Sequence, residues 1–147
     1  MIHVTRTTAV RLALVAGALA LSACSSMGMM PMMSDNKLAL SGANEVPAVT
    51  TPASATGTIT VAPDHSVSGS VTATGMAPTA AHIHQGAAGV NGPVIVPLTQ
   101  SGNVFTVPAG AKLTDAQYDA YKAGNLYVNI HSAAHPGGEI RVQLKGS

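Results

Sequence analysis

Gly124-Asn125-Leu126-Tyr127-Val128-Asn129-Ile130-His131-Ser132 is the stretch on which the fold reading turns. Val128 and Ile130 alternate with Tyr127, Asn129 and His131, a period of two that sends successive side chains to opposite faces of an extended chain. The segment reads as a strand with an apolar side toward a core and a polar side away from it. The same alternation recurs in Glu139-Ile140-Arg141-Val142-Gln143-Leu144 and in His82-Ile83-His84. If the three segments are neighbours in one sheet, His82, His84, His131, Glu139 and Arg141 converge on one surface.

Outward from there, the chain from Lys37 onward consists of short β-prone runs punctuated by Gly, Pro, Asn and Asp. Strands are predicted near Leu38–Ser41, Ala55–Val61, Ser66–Thr74, Ala80–His84, Val94–Leu98, Val104–Val107, Leu126–His131 and Glu139–Leu144. Asp64-His65 and Asn91-Gly92 are turn signals, Asn-Gly because it tolerates positive φ. One helix is predicted over Asp115–Ala123. Thr114 and Gln117 form a capping-box pair, Asp115 lies in the first turn and Lys122 in the last, and Gly124 follows the end. The fold class is all-β: a Greek-key β-sandwich or barrel of about seven to eight strands, with one short helix covering an end.

The N-terminus reads as a processing segment. Residues 1–23 carry Arg6 and Arg11, then an apolar run from Leu12 to Leu21, then the small residues Ser22 and Ala23. The apolar run is shorter than the about 20 residues that a bilayer-spanning helix needs. Leu21-Ser22-Ala23-Cys24 resembles a bacterial lipobox, in which the cysteine thiol takes a diacylglycerol and becomes the first residue of the mature chain. This implies lipidation of Cys24 and an extracytoplasmic protein anchored to the envelope membrane. Ser25 in place of Asp favours the outer membrane of a Gram-negative cell. Cys24 is the only cysteine, so the mature domain forms no internal disulfide and rests on burial alone. Residues 24–36 form a tether rich in methionine: Met27, Met29, Met30, Met32 and Met33. Thioethers are soft ligands that select Cu(I), so the tether is either a plain linker or a capture site for copper. Residues 37–147 form the folded domain.

In the mature chain Lys37, Lys112, Lys122, Arg141 and Lys145 face Asp35, Glu45, Asp64, Asp115, Asp119 and Glu139. No basic patch emerges, which excludes a nucleic-acid partner of the electrostatic kind. The few aromatics, Phe105, Tyr118, Tyr121 and Tyr127 with no Trp, are a poor inventory for stacking on bases or sugars.

Three segments carry a family resemblance: Leu40-Ser41-Gly42-Ala43-Asn44-Glu45-Val46-Pro47; Ala81-His82-Ile83-His84-Gln85-Gly86, continuing to Gly89 and Asn91-Gly92-Pro93-Val94; and Ala123 to Ser132, continuing to Pro136-Gly137-Gly138-Glu139-Ile140-Arg141. Together they resemble the CHRD (chordin-type) domain over about residues 37–145. Val142 departs from the pattern, which shows Gly in its closing Arg-Gly-Gln. The resemblance implies an extracellular all-β domain, without a defined activity and without a protein partner that transfers to this chain.

His82 and His84 project the same way, roughly 7 Å apart at their Cα atoms, and can chelate a metal. His131 would complete a three-nitrogen site suited to copper or zinc. His135 or Glu139 could supply a fourth ligand or orient a ring, with Tyr127, Asn129, Glu139 and Arg141 as the surrounding polar face. The bland alternative is a solvated face in which Glu139 and Arg141 pair at the surface. The His-x-His strand also resembles the copper-binding strand of copper–zinc superoxide dismutase, although this chain lacks that enzyme's disulfide cysteines. No nucleophile elbow, Walker loop or dinucleotide fingerprint occurs. In His135-Pro136-Gly137-Gly138-Glu139 the Pro and Gly residues forbid the helix that a zincin site requires. Three functions follow: a non-enzymatic binding or structural module, a copper-binding envelope protein, or a dismutase-like redox enzyme.

Overall fold

A computed structural model describes residues 37–146. The expected signal segment 1–23, the expected lipidation site Cys24 and the expected methionine tether 24–36 lie outside the described residues. Nine strands form one sheet: β1 (Lys37–Ser41), β2 (Ser54–Val61), β3 (Val67–Thr74), β4 (Pro78–Gln85), β5 (Val94–Pro97), β6 (Thr99–Ser101), β7 (Val104–Thr106), β8 (Leu126–Ser132) and β9 (Ile140–Leu144). A helix, α1 (Asp115–Lys122), lies between β7 and β8. The strand order is β5-β4-β8-β9-β1-β2-β3-β7-β6, and every pairing is antiparallel.

The two outermost strands of that order, β5 and β6, are consecutive in sequence and separated only by Leu98. One short run of chain therefore belongs to both edges. Leu98 N–H donates to the Ala81 carbonyl at 3.0 Å, and Gln100 Nε2 donates to the Pro78 carbonyl at 2.9 Å, both on β4. The sheet is thereby drawn into a nearly closed barrel, which leaves little bare edge for another chain to pair with. The all-β expectation holds in its barrel form. All eight expected strands are present, and β6 is the addition. Its three residues are all exposed, so no alternation marked it in the sequence.

The barrel interior takes one side of every strand but β6: Val71, Ile83, Phe105, Leu126, Val128, Ile130 and Ile140 are each at most 1% exposed. With no disulfide available, this burial supplies the folding free energy, about 25 cal/mol per Å² of apolar surface removed from water. The close-set strands demand glycine at a crowded position: a Cβ on Gly57 would collide with the Ser70 carbonyl and the Val71 Cα.

α1 forms as its caps dictate. Thr114 accepts from Gln117 N–H, and the Gln117 side chain accepts from Thr114 N–H, a reciprocal capping box. Ala123 is the C-cap, and Gly124 with φ +73° ends the helix. Tyr121 is its buried anchor. His65, read in the sequence as a turn residue, is half-buried. It holds φ +68° in its turn, its ring stacks on Tyr118 at 4.1 Å between centroids, and its Nδ1 lies 3.4 Å from Asp115 Oδ1. The turn thus clamps the start of the helix. Among the described residues no helix is long and apolar enough to cross a membrane.

Phe105→Ala removes the largest apolar side chain on β7 from a site with 0% exposure. It should cost about 3–5 kcal/mol by denaturant titration, whereas Val104→Ala, one position along at 36% exposure, should stay within about 0.5 kcal/mol.

Candidate metal centre

The three alternating segments are neighbours: β8 lies between β4 and β9. Their register builds a polar grid. His84 stands opposite Tyr127, His82 opposite Asn129 and Ala80 opposite His131 across β4 and β8. Tyr127 faces Gln143 and Asn129 faces Arg141 across β8 and β9. At Ile83/His84 the pairing of β4 with β5 shifts register, the kind of bulge that re-aims a side chain.

The expectation that this polar face looks away from any core needs correction. Tyr127, Asn129, Glu139 and Arg141 are all buried, because two loops cover the face. Arg141 holds the first loop: its Nη1 donates to Asn91 Oδ1 at 3.1 Å, and its Nη2 donates to the Val90 and Ala87 carbonyls at 3.0 and 3.2 Å. The second loop, between β1 and β2, adds Thr51, whose hydroxyl donates to Glu139 Oε1 at 2.6 Å, and buried Glu45. Asn91 Nδ2 donates to the Val46 carbonyl at 2.7 Å and so ties the two loops together. Glu139 and Arg141 consequently form no surface ion pair. Gly138 is the tight point beneath this cover. Its φ is +127°, and a Cβ there would stand 2.5 Å from Glu45 Oε1 and 2.7 Å from Asn129 Nδ2.

Within the covered face His82, His84 and His131 come together, one nitrogen of each lying within 4.8 Å of the others. Their hydrogen bonds fix the tautomers. His84 Nδ1 is 2.9 Å from the Gly92 carbonyl and His131 Nδ1 is 2.9 Å from the Pro136 carbonyl. A carbonyl only accepts, so both Nδ1 atoms carry the hydrogen and both neutral rings present a lone pair at Nε2. His82 Nδ1 lies 3.0 Å from His131 Nε2 and donates to it; an ion entering between them takes the place of that hydrogen bond. His84 Nε2 is buried and has no hydrogen-bond partner among the described residues. Two nitrogens, each about 2.0–2.1 Å from one ion, can stand no more than about 4 Å apart, so the cluster needs only a small ring rotation to close on a metal.

Electrostatics favour the neutral, ligand form. Burial holds the His82 pKa below the ordinary 6.5, with the His131 and His84 charges adding to the effect. Burial also lowers His131, against the hydrogen bond to Pro136. Burial pushes the Glu45 carboxyl above its ordinary 4.5, against a Val46 backbone hydrogen bond and the Arg141 charge. Burial acts to raise Glu139 as well, but hydrogen bonds from Ser132 and Thr51 and the His135 charge hold it below 4.5.

His135 and Glu139, expected as a fourth ligand or an orienting group, stand outside the trihistidine group. Glu139 is engaged by Thr51, and the His135 backbone closes the β8–β9 turn onto Ser132. The ring-orienting role falls instead to the carbonyls of Gly92 and Pro136. Sequence reading missed them, and missed Glu45, Thr51 and Asn91 as cover, because backbone acceptors and loop docking leave no periodic signal. In the sequence Asn91-Gly92 carries a turn signal and part of the family resemblance, and neither points to a contact with Arg141 or His84.

The CHRD domain family matches residues 37–144 of the chain. No curated protein and no solved structure matches it.

The histidine shifts set a pH dependence. A ring whose folded pKa lies below 6.5 stabilises the fold fully above the unfolded value and loses that stabilisation as pH falls through the folded value. Glu139, held below 4.5, adds a second loss at more acidic pH. Denaturant titrations of the metal-free protein from about pH 8 to about pH 3 should show stability falling in two stages. The upper stage should flatten in the His82→Gln/His131→Gln double variant. Glu45, raised above 4.5, works the other way and gains stability as pH falls, so the decisive comparison is with the double variant: an upper stage unchanged there would contradict the burial of neutral rings.

Proposed function

The chain belongs to the CHRD-domain family, and on that premise we propose that it is a non-enzymatic metal-binding module of the cell envelope, lipid-anchored through Cys24, that takes one copper ion on His82, His84 and His131. The observation that carries the reading is the pair of imidazoles pinned through Nδ1–H to backbone carbonyls, with their Nε2 atoms turned into one small space. Such outer contacts orient metal-binding histidines and raise their basicity as ligands. The second support is the buried, unpartnered Nε2 of His84. A lone pair left so costs about 1–3 kcal/mol, and a bound ion removes that cost. Three imidazole nitrogens without thiolate or carboxylate suit copper, with zinc the nearest competitor.

His82 and His131 are only half-buried while His84 is buried. The centre thus has one exposed side, through which an ion can enter and leave, as sequestration or delivery requires. The methionine tether would fit the same role as a soft first acceptor. On the other half of the polar face the Arg141 donors hold a covering loop in place.

Protein matured in an oxidising compartment and loaded with copper should carry one ion per chain by elemental analysis. His84→Ala or His131→Ala should remove it, with the fold retained by circular dichroism. Unchanged metal content in both variants, or none in the unmodified chain, overturns the copper reading. Cys24→Ala should shift the protein from the membrane fraction to the soluble fraction; if it stays with the membrane, the anchor is elsewhere.

A further inference from the structure

We infer that the stacked trio Arg141–Tyr127–His84 biases the centre toward a monovalent ion, Cu(I) rather than Cu(II) or zinc; the inference rests on the metal-centre reading above and adds the charge of the cargo. The guanidinium carbon of Arg141 lies 3.3 Å from the Tyr127 ring centroid. The His84 ring lies 4.7 Å from the same centroid at an interplanar angle of 5°. Because β8 separates β4 from β9, Tyr127 stands between the cation and the imidazole. The phenol oxygen is held in turn by the N–H of Gly92 at 3.1 Å, the same residue whose carbonyl orients His84.

Arg141 is 1% exposed, and its hydrogen bonds go to neutral acceptors: Asn91 Oδ1, the Ala87 and Val90 carbonyls and Gln143 Oε1. Among the described residues no carboxylate forms an ion pair with it. Glu45 is the acid that feels its charge, without a direct contact. A buried positive charge therefore stands one aromatic ring behind a metal ligand. It repels a divalent ion twice as strongly as a monovalent one. At about 10 Å and an effective dielectric constant of about 20, the difference is enough to shift the affinity ratio about tenfold. A guanidinium that served only to dock the loop would leave that ratio unchanged.

The test measures Cu(I) and Cu(II) affinities by competition with chelators selective for each, using the detergent-solubilised mature chain and two variants. Asn91→Asp places a carboxylate where Asn91 Oδ1 already accepts from Arg141 and gives up the Asn91 Nδ2 hydrogen bond to Val46, so it opposes the guanidinium charge, and the Cu(I)-to-Cu(II) ratio rather than either affinity alone reads that effect. It should lower the Cu(I)-to-Cu(II) affinity ratio about tenfold. Glu45→Gln removes the opposing negative charge and should raise the ratio. The same ratio in a folded variant as in the unmodified protein, with copper still bound, overturns the role of the stack and leaves the metal centre standing. Absence of copper from the unmodified protein overturns the centre itself, and the inference falls with it.

Discussion

Strand β8 is buried on both faces, and one of those faces is polar. Val128 and Ile130 enter the barrel interior with 0% exposure, while Tyr127 and Asn129 on the other side are each 2% exposed. A buried polar face is tolerated only when its donors and acceptors find partners, and the rest of the structure answers that demand. The loop from Gly86 to Pro93 comes down to receive Arg141. The loop after β1 comes down to cap Glu139. Both do so with backbone carbonyls and small polar side chains. Among the described residues, the buried side-chain atoms left without a partner are Glu45 Oε1, Asn129 Oδ1 and His84 Nε2. All three belong to this face or its cover.

The division of the face into two halves explains how one wall can be rigid and reactive together. On the β9 side, Arg141 spends its donors on loop carbonyls and its flat surface on Tyr127. On the β4 side, the same loop returns through Gly92 to fix the imidazole of His84. The covering loop is thus both clamp and ring-orienting element. A change at Asn91 or Gly92 is transmitted to a proposed ligand through the Gly92 carbonyl. Gly92 has no alternative there, since a Cβ would collide with the Gln85 carbonyl.

Much of the architecture was legible because period-two alternation is a direct consequence of strand geometry. Ile83, Val128 and Ile130 alone place His82, His84 and His131 on one side, and the register of β4 on β8 makes that side a single cluster. The capping box at Thr114 and Gln117 was equally plain, because it depends on contacts three residues apart. Alternation could not say what lies over the polar face, since a strand's own pattern is the same whether its outer side meets water or a loop. The cover comes from segments without regular structure, placed by long-range hydrogen bonds such as Thr51 to Glu139 and Asn91 to Val46. For the same reason His65, whose ring is sandwiched onto the helix through Tyr118, read as a simple turn residue.

The proposed centre depends on all three imidazoles giving nitrogen to one ion. X-ray absorption spectroscopy of the copper-loaded chain measures that directly through the multiple scattering of coordinated imidazole rings. Three imidazoles per copper in the unmodified chain is the result expected, with the imidazole scattering lost along with the metal in His84→Ala and His131→Ala. Copper surrounded by fewer rings in the unmodified protein, or a ring count that does not change when these histidines are replaced, would contradict it.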